Sequence, residues 1–187
     1  MCNPASFVVT KGKVFWSKTS DSHEDIIDEF ELGNLDREFS MNLVRVEITP
    51  PDNNYQLPIS KWVYSTDQDI LPEWYDADKC EERARIALTD WIAEKVVLSG
   101  EVVEKLTTCK LFVFGTVREV WGGGTVQKVW DGGTVREVLD GGTVREVWGG
   151  GTVITYTKLD TSILKHKDAV LIDRSGDTTV CYTGLQN

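Results

Sequence analysis

Two side chains in this sequence could do chemistry from where they stand. Cys2 follows the initiator methionine. Methionine before a small residue is commonly removed, which would leave a cysteine whose own α-amino group titrates near neutrality and can act as base for the thiol. That is the logic of N-terminal nucleophile hydrolases and amidotransferases. Amidotransferases of this kind continue with glycine after the cysteine, whereas Asn3-Pro4 follows here, so an incidental or structural cysteine is the plainer reading. His23 lies in Ser20-Asp21-Ser22-His23-Glu24-Asp25 at the start of an expected helix. It could serve as a general base oriented by Asp21 or Glu24 and assist Cys2. A lone histidine in a polar first turn reads equally as an exposed or capping residue, and that is the expectation carried forward.

The remaining polar clusters are less specific. His166, between Lys165 and Lys167, reads as solvated. Asp67, Asp69, Glu73, Asp76 and Asp78 gather around Trp74-Tyr75 and could offer oxygen ligands to a divalent cation. They lack EF-hand spacing, and a solvated acidic loop with a helix cap explains them, so no metal is assigned. Cys2, Cys80, Cys109 and Cys181 are scattered and form no Cys-x-x-Cys pair. With only two histidines a zinc site is disfavoured, and reduced thiols in a cytoplasm are expected. The phosphate-loop pattern Gly-x-x-x-x-Gly-Lys-Ser/Thr is absent, and no cofactor is expected.

What must position these residues is dominated by one stretch. From Gly115 to Val153 the chain carries four copies of a nine-residue unit, Gly-Thr-Val-Arg-Glu-Val-Trp-Gly-Gly and close variants, closed by Gly-Thr-Val. Each unit is a short β-favouring run ended by glycines or Asp-Gly. An antiparallel meander is one solution, since Gly-Gly and Asp-Gly make good hairpin turns. Folded that way around Asp140-Gly141, however, Glu137 faces Val144 and Arg136 faces Arg145, which is a poor sheet. Stacked as a β-solenoid, Val117, Val126, Val135 and Val144 form apolar columns, as do Val120, Val129, Val138 and Val147. The solenoid is therefore favoured, with two units and about eighteen residues per coil. Stacking places like charges over one another, with Lys128 above Glu146 as the one clear favourable pair.

Calcium-binding nonapeptide solenoids need an aspartate in every unit, and two units here carry glycine at that position. Ice-binding solenoids are suggested by the threonine column, but each unit has a single threonine beside charged residues. Neither activity is assigned. Spacing of Thr107 and Thr116, and of Leu111 and Val120, extends the nine-residue phase back to a solenoid start near residue 100.

The N-terminal part alternates element types. Phe7–Thr10 and Lys13–Trp16 flank Lys11-Gly12 as a hairpin, a short helix spans about 22–31 and ends near Gly33-Asn34, and Met41–Thr49 and Lys61–Tyr64 read as strands. A longer helix starts at Asp76 or Asp78 and carries Cys80, Ala84, Ala87, Leu88, Trp91 and Ile92 on one stripe, which is core. Ala169–Asp173 and Thr178–Tyr182 bracket Ser175-Gly176 as a final hairpin. The fold class is thus mainly β, an α+β head over 1–99 and a β-solenoid over 100–187.

The 187 residues carry a formal net charge of −10 and are 41% hydrophobic, enough apolar content for a core. An acidic chain is a poor ligand for nucleic-acid phosphates and a plausible competitor for a basic groove on a protein. No run of eighteen apolar residues suggests a membrane span, and the first residues do not read as a signal peptide.

The opening Met-Cys-Asn-Pro, the segment Lys13–Lys18 with Ser22-His23, and the Thr-Val-x-x-Val-Trp/Leu repeats together resemble uncharacterised phage and prophage proteins that join a similar head to a variable number of nonapeptide units. The resemblance implies a phage or mobile-element origin and a bacterial host cytoplasm, and it supplies no catalytic residue. Three functions follow as expectations. The first is a non-enzymatic binding protein whose head contacts a protein partner and whose solenoid is a rigid spacer or self-association surface; interference with a host defence would be its phage-borne form. The second is an enzyme using Cys2 with His23, and the third a structural virion protein.

Overall fold

The structure is a computed structural model that describes residues 5–33 and 42–184. The chain forms two compact units, Met1–Ile92 and Ala93–Asn187. Cys2 lies outside the described residues, as do Met41 and Asn34.

In the first unit, β1 (Ser6–Thr10) pairs antiparallel with β2 (Val14–Phe15) and with β3 (Leu43–Thr49), and β3 pairs antiparallel with β4 (Val63–Thr66). The order is β2-β1-β3-β4. Central placement explains the apolar run in the middle of β1, with Phe7, Val8 and Val9 fully buried. Helix α1 (His23–Glu29) starts at Ser22, whose side chain accepts from the Asp25 amide. Ile26 and Ile27 of α1 pack with Val8, Leu32 and Leu43 in one cluster. The helix stops before the expected Gly33-Asn34. Glu31 takes the left-handed conformation at φ 55°, Leu32 donates its amide to the Ile27 carbonyl and Glu31 donates to Asp28. This is a Schellman closure with a non-glycine residue, held in place by the burial of Leu32 beside Ile27.

Helix α2 (Ala77–Lys95) is capped by Asp76, whose carboxylate accepts from the Lys79 amide at 3.2 Å. Its stripe of Cys80, Ala84, Leu88 and Trp91 is buried, and the Trp91 indole donates to Asp21 at 2.9 Å. Arg85 donates to the Ile59 and Trp62 carbonyls, and Arg83 to that of Thr10. These bonds tie the helix to the chain before β4 and to the end of β1.

The second unit is a parallel β-solenoid, not a meander. One sheet runs β14-β13-β12-β10-β8-β6 and the other β11-β9-β7-β5, so successive units alternate between sheets. The strands are β5 (Val96–Val97), β6 (Val102–Leu106), β7 (Cys109–Val113), β8 (Thr116–Val120), β9 (Thr125–Val129), β10 (Thr134–Val138), β11 (Thr143–Val147), β12 (Thr152–Thr155), β13 (Val170–Asp173) and β14 (Val180–Thr183). Thr116 lies beside Thr134 and Thr125 beside Thr143, a coil of eighteen residues. Both valines of each unit face inward and are essentially inaccessible from Val117 to Val147. Burying a valine is worth about 1.5 kcal/mol or more, against well under 1 kcal/mol for an exposed charge pair. The valine columns therefore set the register, and Glu119 stands beside Glu137 in consequence. Lys128 does pair with Glu146, at 3.7 Å.

Glycine meets two different constraints in the corner that follows β9. In Trp130-Asp131-Gly132-Gly133, Asp131 and Gly132 sit at φ 45° and 84°, and the Gly133 amide donates to the Trp130 carbonyl. Gly133 meets a different constraint, because a Cβ built there would fall 2.0 Å from the Val113 carbonyl oxygen of the coil below. The earlier coils depart from the expected phase. Val113, not Leu111, stands opposite Val129, and Leu106 rather than Val102 stands opposite Val120. The cause is corner length: Thr107-Thr108 and Phe114-Gly115 each turn the chain in two residues, where the repeats use four. At the other end β13 joins β12 in parallel and turns back as the expected hairpin with β14. Leu164 covers Val147 on the second sheet.

Candidate functional site

The head brings one set of chemically capable side chains together, and His23 is its centre. Ser22 caps α1, and the next residue is thereby turned onto the sheet. His23 is fully buried, which corrects the expectation of an exposed or capping residue. The reason is a pair of partners on the sheet. Its Nε2 lies 3.1 Å from the Val46 carbonyl oxygen, and its Nδ1 lies 3.2 Å from Oδ2 of Asp67. A carbonyl only accepts, so Nε2 carries a proton and donates; Nδ1 is left to face the carboxylate.

Strand pairing supplies the other members. Glu47 stands between Ser6 of β1 and Ser65 of β4. Asp67 follows β4 directly and is fixed by its own amide, which donates to the Arg45 carbonyl at 2.9 Å. Ligand atoms of His23, Glu47 and Asp67 all lie within 4.8 Å of one another. Burial grades outward from inaccessible His23 through half-buried Glu47 to Asp67, whose side chain is 54% exposed. Chemically the group can hold a proton or a cation against two carboxylates at the surface end of a buried imidazole.

The carboxylate against His23 Nδ1 is that of Asp67, not of the Asp21 or Glu24 expected to orient it. Asp21 accepts from Trp91, while Glu24 accepts from the Ser22 hydroxyl at 3.0 Å. Backbone and Ser22 hydrogen bonds hold the Glu24 carboxyl below its usual range, with smaller contributions from the nearby Arg45 and His23 charges. Among the acids around Trp74-Tyr75, Asp67 joins His23, whereas Asp76 is a cap in an exposed ion pair with Lys79 at 2.8 Å. Hydrogen bonds from Lys79 hold the Asp76 carboxyl down. Glu47 carried no signal beyond its place in a strand. His166 lies 3.5 Å from Asp168 and is 43% exposed.

On the solenoid, Phe112, Trp130 and Trp148 form a ladder with ring centroids 6.2 and 5.8 Å apart, and Lys128 lies over Phe112 and Trp130. The rings stack on each other, so their faces serve the corner itself. Lys110 Nζ donates to the Ala93 and Glu94 carbonyls at the end of α2. There burial lowers its pKa, partly offset by Glu94 and Glu101. No described helix is long and apolar enough to cross a membrane. Comparison of the chain with family models, with curated proteins and with solved structures found no match.

Proposed function

We propose that this is a non-enzymatic binding protein whose head contacts a protein partner and whose solenoid is a rigid spacer or self-association surface. The observation that supports it is the coil itself. Thr116–Val120 and Thr134–Val138 present the same outward residues in one register, eighteen residues apart, and Thr125–Val129 and Thr143–Val147 keep that register with Gln127 and Lys128 beside Arg145 and Glu146. Chemistry needs one unique constellation, whereas a repeated surface adds length, about 4.8 Å per coil, or valency. The net charge of −10 suits a partner with a basic groove. A phage-encoded inhibitor of a host defence is the specific form that the resemblance suggests.

The test is photo-crosslinking in cells with a benzoylphenylalanine placed singly at exposed head positions such as Lys11 and Glu29, and at Arg136 and Arg145 of the solenoid. Discrete adducts with one protein species from the head positions are expected. Adducts only with the chain itself from the solenoid would reduce the reading to self-association. Turnover of a substrate that stops on Cys2→Ala would overturn it in favour of the cysteine enzyme.

A further inference from the structure

We propose that His23, Glu47 and Asp67 bind one divalent first-row transition ion, of the zinc or manganese type, on the head. Three observations converge on it. First, the imidazole is held as a metal-ligating histidine is held: one ring nitrogen donates to a backbone carbonyl, here Val46 at 3.1 Å, which fixes the tautomer and aims the other nitrogen's lone pair. Second, that lone pair points at a carboxylate oxygen 3.2 Å away. Two acceptors at that distance repel unless a positive charge lies against both. An ion about 2.1 Å from each would see them at roughly 100°, between the octahedral and tetrahedral angles. Third, Glu47 brings a second carboxylate oxygen within 4.8 Å of the other two ligand atoms, comparable to the ~4.2 Å that two ligands of one ion span.

The donor set selects the class of ion. Imidazole nitrogen with carboxylate oxygen suits zinc, manganese or ferrous iron, whereas magnesium and calcium prefer oxygen alone. The ligands come from α1, from β3 and from the residue after β4, so the sheet registers them before any ion arrives. Among the described residues, Arg45 and His23 act electrostatically on the neighbouring Glu24. Arg45 cannot ligate, and its positive charge acts on the Glu24 carboxylate. The exposed side of Asp67 gives the ion an entry path, and three protein ligands leave positions open to water. The rival arrangement is a proton in place of the ion, an imidazolium–carboxylate pair.

The full chain, stripped with a chelator, is titrated with zinc and manganese chloride by calorimetry and native mass spectrometry, with magnesium and calcium as controls. One zinc per chain, a raised melting temperature and a cobalt(II) d–d spectrum are expected. Asp67→Asn and Glu47→Gln, both conservative in shape, should each weaken binding by at least tenfold while melting within a few degrees of the parent in chelator. Those variants also separate this site from adventitious zinc on the free thiols of Cys109 and Cys181. Absence of zinc binding, or binding that both variants leave unchanged, would overturn the proposal. So would nitrogen NMR showing both His23 ring nitrogens protonated in zinc-treated protein at neutral pH.

Discussion

Replacing Gly133 by alanine tests the stacking directly, because the added methyl has nowhere to go. Its carbon would lie 2.0 Å from the Val113 carbonyl oxygen, 2.9 Å from the Val113 carbonyl carbon and 3.0 Å from the Trp130 oxygen, all backbone atoms. Relief to an ordinary contact needs the two coils to part locally by more than 1 Å, as a rough scale for non-bonded carbon–oxygen distances. The Val113 oxygen also accepts the Trp130 amide at 2.9 Å, so that rung would break. An orphaned backbone pair costs about 1–3 kcal/mol and overpacking about 1–3 kcal/mol. Their overlap gives an expected loss of about 2–4 kcal/mol. For a unit of this size that is about 10–25 °C in melting temperature. Two neighbours are controls. Gly132 has open space but φ 84°, so Gly132→Ala should cost about 1–2 kcal/mol of backbone strain. At Gly150 the nearest atom to an added Cβ is 3.8 Å away and φ is unexceptional, so Gly150→Ala should be near neutral. The assay is thermal unfolding followed by circular dichroism, with urea unfolding for the free energies. If Gly133→Ala melts with Gly150→Ala, or Gly132→Ala is the worst of the three, the coils do not approach as described. The glycines would then serve only as turn formers, as a meander requires.

Deletions test the alternation of sheets. Removing Gly124–Gly141, two units, joins Gly123 to Gly142 and keeps β12 on its own sheet, so a folded, cooperatively melting protein one coil shorter is expected. Removing Gly124–Gly132 alone sends β12 and its β13–β14 cap to the wrong sheet, and should lower the melting temperature well below that of the longer deletion; equal stability would refute the two-sheet assignment. In the head, burial first, and then the Tyr75 hydroxyl at 3.2 Å, hold the Tyr64 phenol well above its ordinary value near 10; burial raises that of Tyr55 as well. The native state keeps protons that the unfolded chain releases, so stability is unaffected below about pH 9 and falls as pH rises past about 10. Urea unfolding at pH 8 and pH 11 should show a smaller loss for Tyr64→Phe than for the parent, and an equal loss would count against that burial.

The solenoid was legible because its information is local and repeated. Valines three apart with a glycine corner every nine residues leave one arrangement that buries both, whatever precedes them. Where corners shorten to Thr107-Thr108 and Phe114-Gly115 the repeat fades, and the nine-residue phase puts Leu111 where Val113 stands. The same Asp-Gly turn chemistry serves a hairpin or a change of sheet, so turn residues alone could not decide; the facing pairs did. The end of α1 was misplaced because Gly33 is the stronger local signal, while the burial of Leu32 is what closes the helix at Glu31. His23 was legible as a residue and illegible as a site. Its bond to Val46 spans 23 positions, and Asp67 and Glu47 reach it only through the pairing of β3 with its neighbours. No helical or strand period encodes such a meeting.

The two units therefore store information differently, and that difference bears on function. In the repeats the outward residues are copied together with the inward ones, so Glu119 stands over Glu137 although alternating signs would be more stable. The unit with Gln127 and Lys128 in place of Arg and Glu supplies an attractive rung between repeats, Lys128 with Glu146. Such repulsion costs little at an exposed surface, while each added coil brings four valines into the core. Coil number can therefore change in steps of two units without compensation elsewhere. The head has no such freedom: its buried histidine depends on the register of three strands, and a slip of one residue in β3 would replace Glu47 beside the site with Val46 or Ile48. Specific recognition belongs on the unit that cannot vary, and reach belongs on the unit that can.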